Sequence, residues 1–285
     1  MPDVISMQRD VSFILQNGHA TLTYVRPWLP NVAEVACIHC HPPAPLPKDL
    51  EEWVLGAGTH GVIVVSMGSS VTAIPNTVRQ IFVQALSRIS QKVIWKLDVK
   101  PNSTFVEHLP SNVKIVRWLP QQDLLGHPGV VALVSHGGLL SMFEAVYHAK
   151  PMVMLPVFCD HDANAAKAEL DGYAVWLELQ GLTADALVAA IKRVVHDPRF
   201  RTNVELRSRQ FRDQPETPLQ RAVFWTEHVL RHRGAAHLKG QWQNLGLLQW
   251  FYLDVVLMFL LFTTLALKLR TRYFMKIGQQ KLKKQ

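Results

Sequence analysis

Two rhythms of apolar and polar positions alternate along the middle of the chain. Residues 61–65, 130–134 and 152–155 form short runs that are almost wholly apolar, the first two rich in valine and isoleucine. Such runs predict strands buried on both faces, as in a parallel sheet. Each gives way to small or polar residues: Ser66-Met67-Gly68-Ser69-Ser70, Ser135-His136-Gly137-Gly138, and Pro156 leading to Asp160-His161-Asp162. A helical spacing follows each time, predicting helices over 76–89 and 139–148 and another opening at Asp160-His161-Asp162. Further helices are predicted over 183–196, with Thr183 as its N-cap and Asp197-Pro198 as its stop, over 201–212, and over 218–233. The last is amphipathic, with Leu219, Val223, Val229 and Leu230 set against Arg221, Glu227 and Arg231. Strand, turn and helix repeated in this way predict an α/β domain built on a parallel, Rossmann-like sheet. Ligands of such sheets lie beyond the carboxyl ends of the strands.

The residues at those ends carry a specific chemistry. Ser135-His136-Gly137-Gly138, between a strand and a helix, points unpaired backbone N–H groups at an anion. Gly137 and Gly138 leave room for a phosphate to approach. His136 and the Ser141 hydroxyl, in the first helical turn, can add hydrogen bonds. Glu144 stands three residues beyond Ser141 on the same helix face, and its carboxylate suits the vicinal hydroxyls of a ribose. Trp118 offers a face on which a base can stack, and Gln121 carries the donor and acceptor that a uracil edge requires. The turn at Ser66 and Gly68 can close on the same phosphates from the other side. Taken singly, each has a plain reading: a tight turn, a core tryptophan, a solvated glutamate, a lysine capping a strand at Lys96. Together, at this spacing, they predict a nucleotide-sugar site.

Composition narrows the field. The 285 residues are 48% hydrophobic and 18% charged, enough for a packed core and too apolar for disorder. The net charge of +8 is local: Lys268, Arg270, Arg272, Lys276, Lys281, Lys283 and Lys284 stand after Leu267 with no acid among them. Without these seven, 23 basic residues face 22 acidic ones, so nucleic acid is excluded as a partner. The apolar stretch 245–267 that precedes this tail, interrupted by Gln249 and Asp254, predicts one transmembrane helix over 245–270. An aspartate near mid-bilayer costs roughly 2.5–3.5 kcal/mol, so Asp254 is expected at the lumenal interface, with Trp250 and Tyr252 in an aromatic belt. The basic tail, 271–285, then lies in the cytosol and the folded domain in the lumen. Residues 1–18 hold no secretory signal, since the apolar run 11–15 is too short. Of three cysteines, Cys37 and Cys40 form a Cys-Ile-His-Cys-His run with metal-like spacing. No second ligand pair accompanies it, so it is read as an incidental cluster and no metal is expected.

Several further motifs carry a family resemblance. They are Leu46-Pro47-Lys48-Asp49-Leu50, Gln91-Lys92-Val93-Ile94-Trp95-Lys96, WLPQQDLLGHP from Trp118 to Pro128, the Ser135 turn, Asp213-Gln214-Pro215 and Arg221-Ala222-Val223-Phe224-Trp225. From about Val11 onward the chain resembles the C-terminal half of an animal UDP-glucuronosyltransferase. The resemblance implies the donor half of a two-domain GT-B fold, at 47–240, with 1–46 as the end of the acceptor half and its Pro-rich connector. It implies Trp118 stacked on uracil, Gln121 on uridine, and Lys96 near the nucleotide. His136, Ser66 and the turn amides near Gly138 and Ser141 would hold the diphosphate, Glu144 the ribose, and Asp160 with His161 the sugar. No cofactor is implied, the UDP-sugar being a co-substrate, and the transfer is inverting and metal-independent.

Three positions depart from the family pattern: Leu140 replaces a common Asn, Ala149 a common Gly, and His161 the Gln that usually follows Asp160. His161 also resembles the ceramide galactosyltransferase branch, which implies galactose or another neutral hexose in preference to glucuronic acid. The family's catalytic base, a His oriented by an Asp, belongs to the acceptor half, so this chain is expected to bind donor without turnover, the small lipophilic acceptor being met elsewhere. The exposed face of helix 218–233 predicts association with itself or with intact relatives. A non-catalytic donor-binding partner is the alternative reading. A dinucleotide oxidoreductase is disfavoured, because no GxGxxG opens the first turn. Lys281 and Lys283 resemble a dilysine retrieval signal, implying the endoplasmic reticulum membrane.

Overall fold

A computed structural model describes residues 3–69, 71, 74–99, 104–107, 109–240 and 245–282. Ser70 of the first turn, and Lys283 and Lys284 of the tail, lie outside them. The chain divides into two compact units: one holds Met1–Ile14, Leu29–Asn31 and Val229–Gln285, the other Leu15–Trp28 and Val32–His228.

The second unit is built on six parallel strands: β1 (Val62–Ser66), β2 (Lys92–Lys96), β3 (Val113–Val116), β4 (Val130–Ser135), β5 (Met152–Met154) and β6 (Ala174–Trp176). Their order in the sheet is β3-β2-β1-β4-β5-β6. This is the doubly wound order, in which the chain leaves β1 in one direction and later crosses to β4 to fill the other side. The alternation of side chains accounts for the unbroken apolar runs. Val62, Val64, Leu133, Met152 and Met154 enter one core layer, and Ile63, Val65, Val93, Trp95, Val134 and Val153 the other. All are at most 1% exposed. Each such side chain contributes about 1.5–3 kcal/mol on burial, so a polar residue on either face of β1 or β4 is costly.

Helices cover both layers: α1 (Lys48–Leu55), α2 (Asn76–Leu86), α3 (Gln121–Gly126), α4 (Leu139–Tyr147), α5 (His161–Leu170), α6 (Ala184–His196) and α7 (Pro198–Arg212); α8 (Pro218–Arg231) follows, burying Ala222. Phe143 of α4 stacks on Phe211 of α7, with ring centroids 5.8 Å apart. Thr183 caps α6 as expected, its Oγ1 accepting from the Ala186 N–H at 3.2 Å. The following helix starts three residues before the predicted Arg201. Asp197 caps it and Pro198 occupies its first turn, where a missing N–H costs nothing.

In the first unit, Leu247–Trp250 (α9) and Leu253–Leu282 (α10) are separate helices. The single transmembrane helix expected over 245–270 is not found. Tyr252 takes a left-handed φ of +55° and breaks the run, and no helix among the described residues is long and apolar enough to cross a membrane. Asp254 and Lys268 bracket residues 255–267. Thirteen helical residues reach ~20 Å, against a hydrocarbon core of ~30 Å.

Candidate functional site

The carboxyl ends of β1 and β4 meet where the winding reverses, and Ser66 pairs in register with Ser135 there. The turns after these strands floor a cavity of about 610 Å³. Ser66, Gly68, Lys96, Trp118, Gln121, His136, Gly138, Ser141, Glu144, Asp160 and His161 all line it. Gly137 sits behind the wall in a left-handed turn at φ +86°. Its carbonyl accepts from Asn164 Nδ2 at 3.0 Å.

One end of the cavity is built for an anion. Gly138 opens α4 without a side-chain cap, and the first bond of the helix runs from the Met142 N–H to the Gly138 carbonyl at 3.0 Å. The N–H groups of Leu139, Leu140 and Ser141 precede that bond, at the positive end of the helix dipole. Lys96 adds a cation, its Nζ donating to the Gly68 carbonyl at 3.0 Å and lying 5.1 Å from the Trp118 ring centroid. His136, 7% exposed, is gripped between two glycines. A Cβ at Gly68 would come within 2.6 Å of its Cε1, and one at Gly138 would overlap its Nε2. Burial, reinforced by neighbouring His161, pulls the His136 pKa down to about 4, so the ring is neutral at pH 7. His161 stands edge-on to it at 4.6 Å and accepts from the Phe158 N–H through Nδ1 at 3.4 Å.

The other end suits a nucleoside. Trp118 is 76% exposed, an open plate at the rim. Gln121 Nε2 donates to Glu144 Oε2 at 2.7 Å and to Ser141 Oγ at 3.0 Å. In this structure its amide therefore faces the carboxylate. Asp160 begins α5, and its Oδ2 accepts from Asn164 Nδ2 at 2.8 Å.

Several lining or supporting residues escaped the sequence reading. Asn164 ties Asp160 to the Gly137 carbonyl. Its signal was present, four residues after Asp160 on one helix face. His41 and Asp123 also line the cavity. His41 arrives through the connector, which is fastened to α3 where the His41 N–H donates to Gln122 Oε1 at 3.0 Å and the Ala44 N–H to Asp123 Oδ1 at 2.8 Å. His39 Nε2 lies 3.0 Å from Glu144 Oε1, a contact spanning 105 residues of sequence. The cluster read as incidental is organised: Cys37 and Cys40 form a disulfide. Their ligand atoms and that of His39 lie within 4.8 Å of one another, but sulfurs bonded to each other are not thiolate ligands.

Comparison with known proteins agrees with this geometry. A family model described as UDP-glucoronosyl and UDP-glucosyl transferase matches residues 3–285. The chain is 39% identical over 265 residues to UDP-glucuronosyltransferase 2B15 of Homo sapiens, covering 92% of this chain and 49% of that protein. It is 41% identical over 235 residues to UDP-glucuronosyltransferase 2B1 of Rattus norvegicus, covering 82% and 44%. It thus spans about half the length of the curated relatives it matches. Among solved structures, Os79 from O. sativa in complex with U2F and trichothecene aligns with a TM-score of 0.58 at 20% identity, over 65% of this chain and 45% of that one. The glycosyltransferase VinC in complex with DTDP aligns at 0.54 and 23%, over 66% and 45%. These likenesses bear out the GT-B-like α/β fold with its parallel sheet.

Proposed function

The chain belongs to the UDP-glucuronosyl and UDP-glucosyl transferase family, and on that premise we propose that residues 47–240 form its UDP-sugar-binding half. Uracil stacks on Trp118 and the ribose hydroxyls bind Glu144. The diphosphate lies across the first turn of α4 with Ser66, Gly68, His136 and Lys96. The sugar lies against Asp160 and His161. The observation that carries this reading is the convergence of these side chains on one cavity at the winding reversal.

The reaction we propose is transfer of a hexosyl or glucuronosyl group to a small lipophilic acceptor, with inversion and without a metal. As the bond to the sugar breaks, negative charge grows on the departing UDP. The amides of Leu139–Ser141, the helix dipole and Lys96 stand ready to stabilise it without rearrangement. Taking the acceptor proton needs a base, which we assign to polypeptide outside these 285 residues. Half-exposed Val223 and Phe224 on α8 favour a second role, as a donor-binding partner associating with intact transferases. We also propose attachment to the endoplasmic reticulum membrane, with the sheet domain lumenal. Exposed Leu257, Phe259, Leu261 and Phe262, followed by the basic tail, support attachment. Protease protection of the C-terminus in intact microsomes tests the orientation.

Calorimetric titration with UDP-glucuronic acid, UDP-glucose and UDP-galactose tests the donor reading. One of them is expected to bind, and heat from none would refute it. Incubation with the same donors and a phenolic acceptor is expected to give no product. Appreciable turnover would overturn the assignment of the base.

A further inference from the structure

We propose that His39, from the connector, is a positioning residue of the donor site, holding the Glu144 carboxylate in the orientation that receives the ribose. The inference rests on the UDP-sugar reading above and extends it to a residue outside the glycine turns. Glu144 is gripped from two sides: His39 Nε2 at 3.0 Å from Oε1, and Gln121 Nε2 at 2.7 Å from Oε2. Each carboxylate oxygen keeps a further acceptor position, and Glu144 lines the cavity. A carboxylate fixed by two donors presents its remaining acceptors in one geometry. With one donor removed, it rotates and must be ordered again on binding.

His39 is itself held by a scaffold with no other evident task. The Cys37–Cys40 disulfide brackets it, and the Cys40 N–H donates to the Cys37 carbonyl at 2.8 Å. Cys37 is buried and takes a left-handed φ of +61°, which a non-glycine residue adopts only when its surroundings impose it. Beyond His39, the His41–Gln122 and Ala44–Asp123 bonds fasten the connector to α3. The tight turn so formed points an imidazole at the carboxylate of α4, and so links donor affinity to the seating of the connector.

The experiment compares UDP with 2′,3′-dideoxy-UDP by calorimetry, in the unaltered chain, His39→Ala, His39→Gln, Glu144→Ala and the His39→Ala/Glu144→Ala pair. His39→Ala is expected to weaken UDP about five- to tenfold, on the order of one ordinary net hydrogen bond because His39 acts through Glu144 and does not touch the ligand, and to leave the dideoxy analogue nearly unchanged. His39→Gln, which retains a donor, recovers most of the loss, and His39→Ala adds nothing when Glu144 is already alanine. Equal loss for both ligands would reduce His39 to a structural role, and unchanged or tighter UDP binding would make it a bystander or competitor; either overturns the inference. UDP binding that depends on Trp118 but ignores His39 overturns this inference alone. Absence of UDP binding in the unaltered chain overturns the site reading together with it.

Discussion

Gly138→Ala separates backbone freedom from cavity shape. Gly138 has φ −63°, which alanine adopts without strain, so the substitution acts only through its new methyl group. That methyl overlaps Nε2 of His136, a ring 7% exposed, next to Ser135 Oγ at 3.2 Å and edge-on to His161. Held beside Ser135 and His161, the ring must push on its neighbours or turn into the cavity it lines, and overpacking of this kind costs about 1–3 kcal/mol. In a domain of this size each kcal/mol lowers Tm by about 2–4 °C, so a fall of roughly 2–12 °C is expected. The displaced imidazole and first-turn amides should also lose about one charge-assisted hydrogen bond to the diphosphate. UDP affinity then drops roughly ten- to a hundredfold. Gly181→Ala is the control: φ there is +76° with nothing within 4 Å of a new Cβ. It should cost about 1–2 kcal/mol of backbone strain and leave UDP binding intact. Thermal melts and calorimetry on both variants decide. Gly138→Ala binding UDP like the unaltered chain, or Gly181→Ala losing binding equally, would refute the reasoning.

Burial holds both His136 and His148 at a pKa of about 4, below the unfolded value near 6.5. The neutral rings therefore contribute stability that is fully present above pH 6.5 and is lost as pH falls toward 4. Tm should decline across that window and decline less in His148→Gln; a flat profile would contradict this. Ala149 stands at φ +54°, so Ala149→Gly should relieve about 1–2 kcal/mol, offset by about 0.4–1 kcal/mol of unfolded-chain entropy. A Tm raised by a few degrees with UDP binding unchanged is the expected result, and no rise would sink it. Asn164→Ala unties Asp160 from Gly137, so affinity for the preferred UDP-sugar should fall severalfold more than affinity for UDP. Parallel losses would place Asn164 outside the sugar subsite.

The central strands were legible because burial on both faces leaves only apolar residues at 62–65 and 130–134. Val113–Val116 was not, since burial at the edge of the sheet is only partial and admits Lys114. Ala174–Trp176, three residues long, is too short for any period to register. The phosphate end of the site was readable in its glycines, whose reason the structure supplies at Gly68 and Gly138. His39 was unreadable, because nothing local announces a partner 105 residues away. The disulfide was read as an incidental cluster with metal-like spacing, since the spacing of Cys37 and Cys40 does not tell bonded sulfurs from free thiols. The C-terminal stretch was read from hydropathy alone, which does not register the break at Tyr252.

The most direct test is a titration of UDP into the unaltered chain and into Trp118→Ala. At 76% exposure, Trp118 contributes little to folding, so the two should melt together. Loss of the stacking plate should remove about 1–3 kcal/mol of binding. The prediction is saturable UDP binding that weakens roughly fivefold to a hundredfold in the variant. Failure of the unaltered chain to bind UDP, or equal affinity in the two, would contradict a uridine diphosphate site at this sheet edge.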